Sequence, residues 1–581
     1  MTTLEYYQQQ VEKADKKLDD ANAALEKFQE SKYGEEKLNE LREKEVNETI
    51  SDRERQWLTE LKNREQELRR RVDLSEIVKK RKADEDQLSD VEREREPRKQ
   101  RLAEALETVS HQINEAPGPS SLALRKTFPM QQQTLNFLCH RPPTHCGRQI
   151  IWYHQAFRNF VRHSTDQSIQ PSKISYDASV ELCDAMAKIY RGENERCQAL
   201  ETVLSQEFGL EFAEITLSNN SRPDGISMHE ISLPNPKDRS RTYREHVAII
   251  IRESKNEIEG ATNDPYLQAT CSYSKFWSQT KFKDLREKSN CPSMLFCSAG
   301  PWFCICGAVF LDTIIVDPLT DMIPLMPTND MMHYMKIAQV IEALKTAYND
   351  LAGYYNALVQ SEQMLTNDMD MQRFYPDVRR FKDINGKDVS FDYTGDLCDQ
   401  CVTTEHLHLC RCTKPYRGET EDGQEIVVKF TTQYNEAAHE LCAKDNLAPK
   451  LLGVKEVSKG LKVIIMEYVQ NSRTLHEYKP SQQDQYLHVM EDVKRAISLL
   501  HRNGYVFGDL RSSNILVLPD SAESTKVRAV LVDFDWVGKD GEDTYPISMN
   551  AQSIVWPDGV KGGEPMRKMS CSSFWRSNIF H

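Results

Sequence analysis

The sequence predicts a multidomain protein in three parts: an N-terminal α-helical coiled coil, a central α/β domain, and a smaller α+β domain at the C-terminus. Three observations predict it. Apolar residues recur every seven positions near the start, at Leu4, Val11, Leu18 and Leu25, with charged residues between them. Short β-branched runs alternate with helical periodicity through the middle of the chain. After a polar stretch, a third region carries one Lys on a β-branched strand and two Asp-bearing turns further on. A chain of 581 residues has room for several cores. Its net charge of −14 excludes a protein that coats nucleic acid through bulk charge, though not one with a local basic groove.

The coil has a second seam at Tyr7, Ala14, Ala21 and Phe28, and Ser51-Asp52-Arg53-Glu54 opens further helix as a capping box. An intramolecular helical hairpin and a self-associating coil both fit this pattern. Lys79-Lys80-Arg81-Lys82 has the composition of a nuclear-import signal and equally of a charged helix face. No secretory signal opens the chain, so an intracellular protein is expected. The coil is assigned to 1–115 and a linker to 116–135, where Ala116-Pro117-Gly118-Pro119 breaks the helix.

The central domain is assigned to 136–365. Helical periodicity to about Ala213 gives way to strand-like runs at Ile226 to Ile231, Val247 to Ile251, Met294 to Cys297, Phe303 to Leu311 and Ile314 to Val316. A long helix from Met331 to Val359 follows. Met294 to Leu311 is apolar enough for a membrane span, but Gly300-Pro301 and Gly307 interrupt it, so buried strands and no membrane association are expected. The strand ending in Glu253-Ser254-Lys255 projects Glu253 and Lys255 to one side, since strand side chains alternate. A carboxylate there can hold Mg²⁺, and the ammonium can orient a water and offset charge on a phosphate. Asp224, after Pro223, supplies the second carboxylate. Pro-Asp, an intervening strand and Glu-x-Lys resemble the PD-(D/E)xK nuclease superfamily. Gln268 and Tyr273, on the helix opened by Asp264-Pro265, resemble the Gln…Tyr helix of one of its branches, with a spacing one residue longer than usual. The resemblance implies DNA as a partner.

A linker is assigned to 366–400 and the third domain to 401–581. Lys429 on Val427 to Phe430 is placed like the lysine that holds ATP phosphates in a kinase, with Glu440 on the next helix as its ion-pair partner. Glu467 and Val469 are placed like a hinge that contacts adenine. Asp509 and Asn514 have the separation of a kinase catalytic loop, with Arg511 between them. The resemblance to protein kinases implies Asp509 as proton acceptor, Arg511 as neutraliser of the transferred phosphoryl group, and Asn514 and Asp533 as Mg²⁺ ligands. There is no Gly-x-Gly-x-x-Gly loop, Asp535 stands where that family has glycine, and fewer than about fifty residues follow Asp533, implying a shortened C-lobe. Asp533-Phe534-Asp535-Trp536, Gly538 and Tyr545-Pro546, with Lys255 to Ile258 and Ala299 to Trp302 upstream, resemble fungal-type protein kinase-like proteins and the Crinkler-type effector or toxin architecture. That resemblance implies an ATP- and Mg²⁺-dependent phosphotransferase fused to a nuclease and acting inside a cell. The alternative is a nucleic-acid-binding protein whose kinase-like part only senses nucleotide or docks a partner.

Fifteen cysteines without a compact framework are expected as free thiols. Cys398, Cys401, His406, His408, Cys410 and Cys412 have metal-ligand chemistry, but their spacing matches no standard finger and a strand with thiols on one face is the simpler expectation.

Overall fold

A computed structural model of the chain describes residues 99–569 apart from 136, 236–237, 259–262, 362–363, 365, 367, 398–414, 459, 479–482, 520–526 and 551–553. The heptad, the Lys79 to Lys82 cluster and the Cys398 to Cys412 segment lie outside the described residues. The chain separates into two compact units, Met1–Leu102 and Ala103–His581, and everything below belongs to the second.

Its first layer is helical: α1 (Gln155–Thr165), α2 (Lys173–Met186) and α3 (Glu193–Gln206). Ser172 caps α2 by accepting the Ser175 amide. A mixed sheet follows, with strands β1 (Gly225–Asn235), β2 (Asp238–Lys255), β3 (Ser293–Ala299), β4 (Trp302–Phe310) and β5 (Ile314–Pro318) side by side in sequence order, and β6 (Ile323–Pro324) beside β4. β2 and β3 are parallel, so the chain must cross over between them, and helix α4 (Pro265–Trp277) makes that crossover. Pro265 at its first turn and the Asp264 cap, which accepts the Tyr266 amide, start α4 where the sequence signals it. Every residue of α4 from Leu267 to Trp277 is buried, and β3 is buried throughout, as expected for a sheet covered on both faces. The apolar stretch from Met294 is two strands joined at Gly300-Pro301, and among the described residues no helix is long and apolar enough to cross a membrane. Helix α5 (Met331–Gln360), capped by Asp330, packs against α1, α2 and the sheet.

The second sheet runs β11-β12-β10-β9-β8-β7, from β7 (Arg380–Lys382), β8 (Asp388–Asp396), β9 (Tyr416–Thr420), β10 (Glu425–Thr431), β11 (Leu451–Ser458) and β12 (Leu461–Glu467). Helix α6 (Glu436–Lys444) joins β10 to β11. After a short strand β13 (Arg473–Thr474) come helix α7 (Gln483–Arg502), β14 (Tyr505–Phe507), β15 (Ile515–Pro519), β16 (Val527–Leu531) and β17 (Val537–Lys539). Val489, Val493, Ile497 and Leu500 of α7 share a core with Leu510, Ile515, Leu531 and Phe534.

Among its described residues, the polar stretch expected as a linker at 366–400 carries a short helix at Met371–Phe374 and the strands β7 and β8. Arg373 and Phe374 are buried, and β8 pairs with both β7 and β9. Polarity misleads here because Arg373 donates through Nε to the Ser289 carbonyl, at 2.9 Å, and through Nη2 to the Phe310 carbonyl, two bonds that help hold a guanidinium in the interior. The two sheets are therefore joined by a packed seam. Arg148 reaches Asp396 at 2.6 Å with both side chains buried, Arg158 grips Asp377 through two hydrogen bonds of 2.7 and 2.9 Å, and Trp152 stacks on Phe430 at 4.8 Å.

Candidate active sites

At the first site, Asp224 immediately precedes β1 and Glu253 and Lys255 end β2. Gly225 pairs with Arg252, and a Cβ there would lie 2.9 Å from the Arg252 guanidinium. The missing side chain lets Arg252 cross beneath the turn and donate to the Asp224 carbonyl at 2.9 Å. The Asp224 carboxylate accepts the Ser254 amide at 2.8 Å and lies 4.0 Å from the Lys255 ammonium. Lys255 also bonds Glu193, at the start of α3, at 3.1 Å. Glu253 is fully buried, accepting from Gln268 at 2.5 Å and from the Ser272 hydroxyl. Burial, and then the nearby Asp224 charge, push the Glu253 carboxyl well above the usual range. Two hard oxygen donors that repel each other in a low-dielectric site suit a divalent cation, so Asp224 and Glu253 fit Mg²⁺ as its holders.

Asp224, Glu253, Lys255 and Gln268 thus come together. Tyr273 does not: its hydroxyl donates to the Cys291 carbonyl at 2.7 Å, away from Glu253. The reason is helical phase. Four residues past Gln268 stays on the same face, which brings in Ser272, whereas the fifth turns away by about 140°. Ser272 was within reach of that rule. Glu193 was not, because no local pattern ties a residue on α3 to the end of β2.

At the second site, Lys429 on β10 is buried and its ammonium lies 2.7 Å from both Asp533 and Asp535. Burial would lower its pKa, but the two carboxylates outweigh that and hold it above the ordinary lysine value. The expected Lys429–Glu440 pair is absent. Glu440 is half-exposed on α6 and faces Lys444 at 3.8 Å. Helix α6 meets the Asp533 segment through His439, whose ring stacks on Phe534 at 4.7 Å, and through its cap Asn435, whose amide donates to the Phe534 carbonyl at 3.2 Å. The His439 Nε2 donates to the Pro449 carbonyl at 2.8 Å, so Nδ1 accepts from the Tyr434 hydroxyl at 2.7 Å. Burial pushes the His439 pKa down to about 4, which keeps the ring neutral.

Asp509 is buried at the end of β14. It accepts from Asn514 at 3.0 Å and from Arg511 at 2.5 Å, and Arg511 Nε approaches its other oxygen at 2.5 Å without hydrogen-bond alignment. Burial raises the Asp509 pKa, with Arg511 opposing. Asn514 also donates to the Asp509 carbonyl at 2.9 Å, and its own carbonyl accepts the Val532 amide at 3.0 Å, tying this loop to the Asp533 turn. Asp533 itself has φ of 69°, the left-handed region, and its carboxylate caps the short turn Phe534–Trp536. Gly508 allows the approach: its amide donates to the Trp536 carbonyl at 2.8 Å, and a Cβ would sit 2.5 Å from that oxygen. At the strand end expected as a hinge, the Glu467 amide is used by Lys450, and the Val469 carbonyl accepts from Ser472 at 2.7 Å.

No family model matches the chain, and no curated protein matches it. Among solved structures it is similar to the Cydia pomonella Granulovirus kinase PK-1, at 17% identity and a TM-score of 0.21, over 26% of this chain and 53% of that one. The chain therefore spans about half the length of that kinase.

Proposed function

We propose that the C-terminal region is a protein-kinase-like phosphotransferase that uses ATP and Mg²⁺. The observation that carries this reading is the convergence of Lys429, Asp509 with Asn514, and Asp533 from three separate segments: β10, the loop after β14 and the turn after β16. Counted from β8, Lys429 stands on the third strand of its sheet, as in a kinase. Mg²⁺ bound by Asp533 and Asn514 would neutralise phosphate charge. Lys429 would hold phosphate oxygens, and Asp509, once released from Arg511, would accept the hydroxyl proton of the phosphoacceptor. Labelled ATP and Mg²⁺ incubated with the full chain test this. Asp509→Asn should lower label transfer by about 10²–10⁴-fold; transfer at the wild-type rate would overturn the reading. Absence of any nucleotide-dependent turnover in the wild type would favour the alternative of a nucleotide-sensing pseudokinase, which the pairing of Lys429 with Asp535 and of Glu440 with Lys444 rather than with Lys429 also supports.

We infer for the first site a Mg²⁺-dependent phosphodiesterase reading of PD-(D/E)xK type, with DNA as substrate, in a Crinkler-like intracellular protein. The gathering of Asp224, Glu253 and Lys255 around one point supports it. Asp224 and Glu253 would hold the cation, and Lys255, poised by Glu193, would orient the attacking water. Plasmid DNA with Mg²⁺ should be nicked by the wild type and left intact by Lys255→Ala. Equal cleavage by both proteins would remove this half of the proposal without touching the other.

A further inference from the structure

The centre of the first sheet holds a cluster that neither candidate chemistry uses. Cys297 on β3 stands directly opposite Cys304 on β4, and Cys306 follows two residues along the same strand, hence on the same face. The three sulfurs all lie within 4.8 Å of one another, and the residues are 1%, 8% and 0% exposed. Cys297 is also in register with Glu253 on β2, so the thiols continue the sheet row that starts at the first candidate site.

We propose that Cys297, Cys304 and Cys306 form a binding site for a thiophilic d¹⁰ cation of the Zn²⁺ class. The geometry is the first argument. Three sulfurs each about 2.3 Å from one ion lie roughly 3.8–4.0 Å from one another, and these three, all within 4.8 Å of one another, reach that spacing with a small side-chain movement. Rigidity is the second. All three project from paired central strands, so ligand placement costs little further ordering, which is the condition for a strong site. Ligand chemistry is the third. A set of three sulfurs without oxygen donors selects soft or borderline ions and discriminates against Mg²⁺ and Ca²⁺. This separates the site from the oxygen pair at Asp224 and Glu253. Charge then selects among the soft ions. Three thiolates around a divalent ion leave one net negative charge in the interior, and around a monovalent ion they leave two, which costs more to bury. Loading releases the thiol protons to solvent, so affinity falls as pH falls. Because the sulfurs are enclosed, the ion enters as the chain folds.

The test uses the full chain expressed with supplementary zinc. Native mass spectrometry and zinc released on denaturation should show one ion per chain. Expression of the full chain with Cd²⁺ as the probe ion in place of zinc should produce a thiolate-to-cadmium charge-transfer band in the ultraviolet. Cys306→Ser should weaken binding by more than the roughly 10–100-fold that outer-shell changes cost, while Cys183→Ser, at a buried thiol on α2, should bind as the wild type does. If Cys306→Ser does not fold, the wild-type band and stoichiometry still decide. A wild-type protein that carries no zinc and develops no cadmium band would overturn the proposal and make the trio ordinary core. A Cys297–Cys304 disulfide found after alkylation of the freshly purified, denatured protein would overturn it as well.

Discussion

Asp535 occupies the position at which the kinase pattern has glycine, and it shares the Lys429 ammonium with Asp533 at 2.7 Å. Burial, and then repulsion from Asp533, raise its pKa to about 6 against the pull of Lys429. A carboxyl whose folded pKa is raised binds its proton more tightly in the folded state. Its contribution to stability is therefore full below the unfolded value of about 4 and is lost as pH rises through about 6. Thermal melts between pH 4 and 7 should show this loss in the wild type and a flatter profile in Asp535→Asn; identical profiles would contradict it. Glu253 obeys the same sign in a deeper setting. Glu253→Gln removes a carboxylate whose charge is disfavoured by burial, so it should raise stability while abolishing any Mg²⁺-dependent cleavage. A urea denaturation curve for the variant checks the first part.

Elements with a strong period were legible in the chain. The strands around Val247 to Ile251 and Met294 to Leu311, the Asp264-capped helix and the long α5 all stand where the pattern of apolar residues sets them. What was not legible depends on contacts between elements. Tyr273 and Ser272 differ by one residue, and only the packing of α4 on β2 decides which meets Glu253. Glu440 was chosen because α6 follows the lysine strand, but the presented face carries His439 and the contact is aromatic. The 366–400 stretch read as a linker because charge was counted without its partners. Gly508 makes an element-level prediction. Its missing side chain allows β14 and β17 to bring Asp509 beside the Asp533 turn. Gly508→Ala should cost about 1–3 kcal/mol through overpacking, seen as a lower urea midpoint, and should reduce phosphoryl transfer along with it.

Across the whole molecule, the seam between the two sheets is the feature that composition concealed. Arg148 and Asp396 are 3% and 6% exposed, and their pairing leaves neither charge alone in the interior. Arg148→Ala strands a buried carboxylate and should destabilise by about 3–5 kcal/mol. If the seam is as integral as its burial implies, calorimetry on the wild type should show residues 103–581 melting in one transition rather than two. The Trp152–Phe430 stack has a further consequence at the level of the gene. Phe430 adjoins the lysine of one site, and Trp152 belongs to the segment that braces the sheet of the other. An open reading frame cut between residues 152 and 396 would give one product with a bare indole face and an orphan guanidinium, and another with a bare phenyl ring and an orphan carboxylate. The two halves can be inherited separately only after their shared surface has been rewritten, so shuffling either one into a new protein requires substitutions at 148, 152, 396 and 430 together.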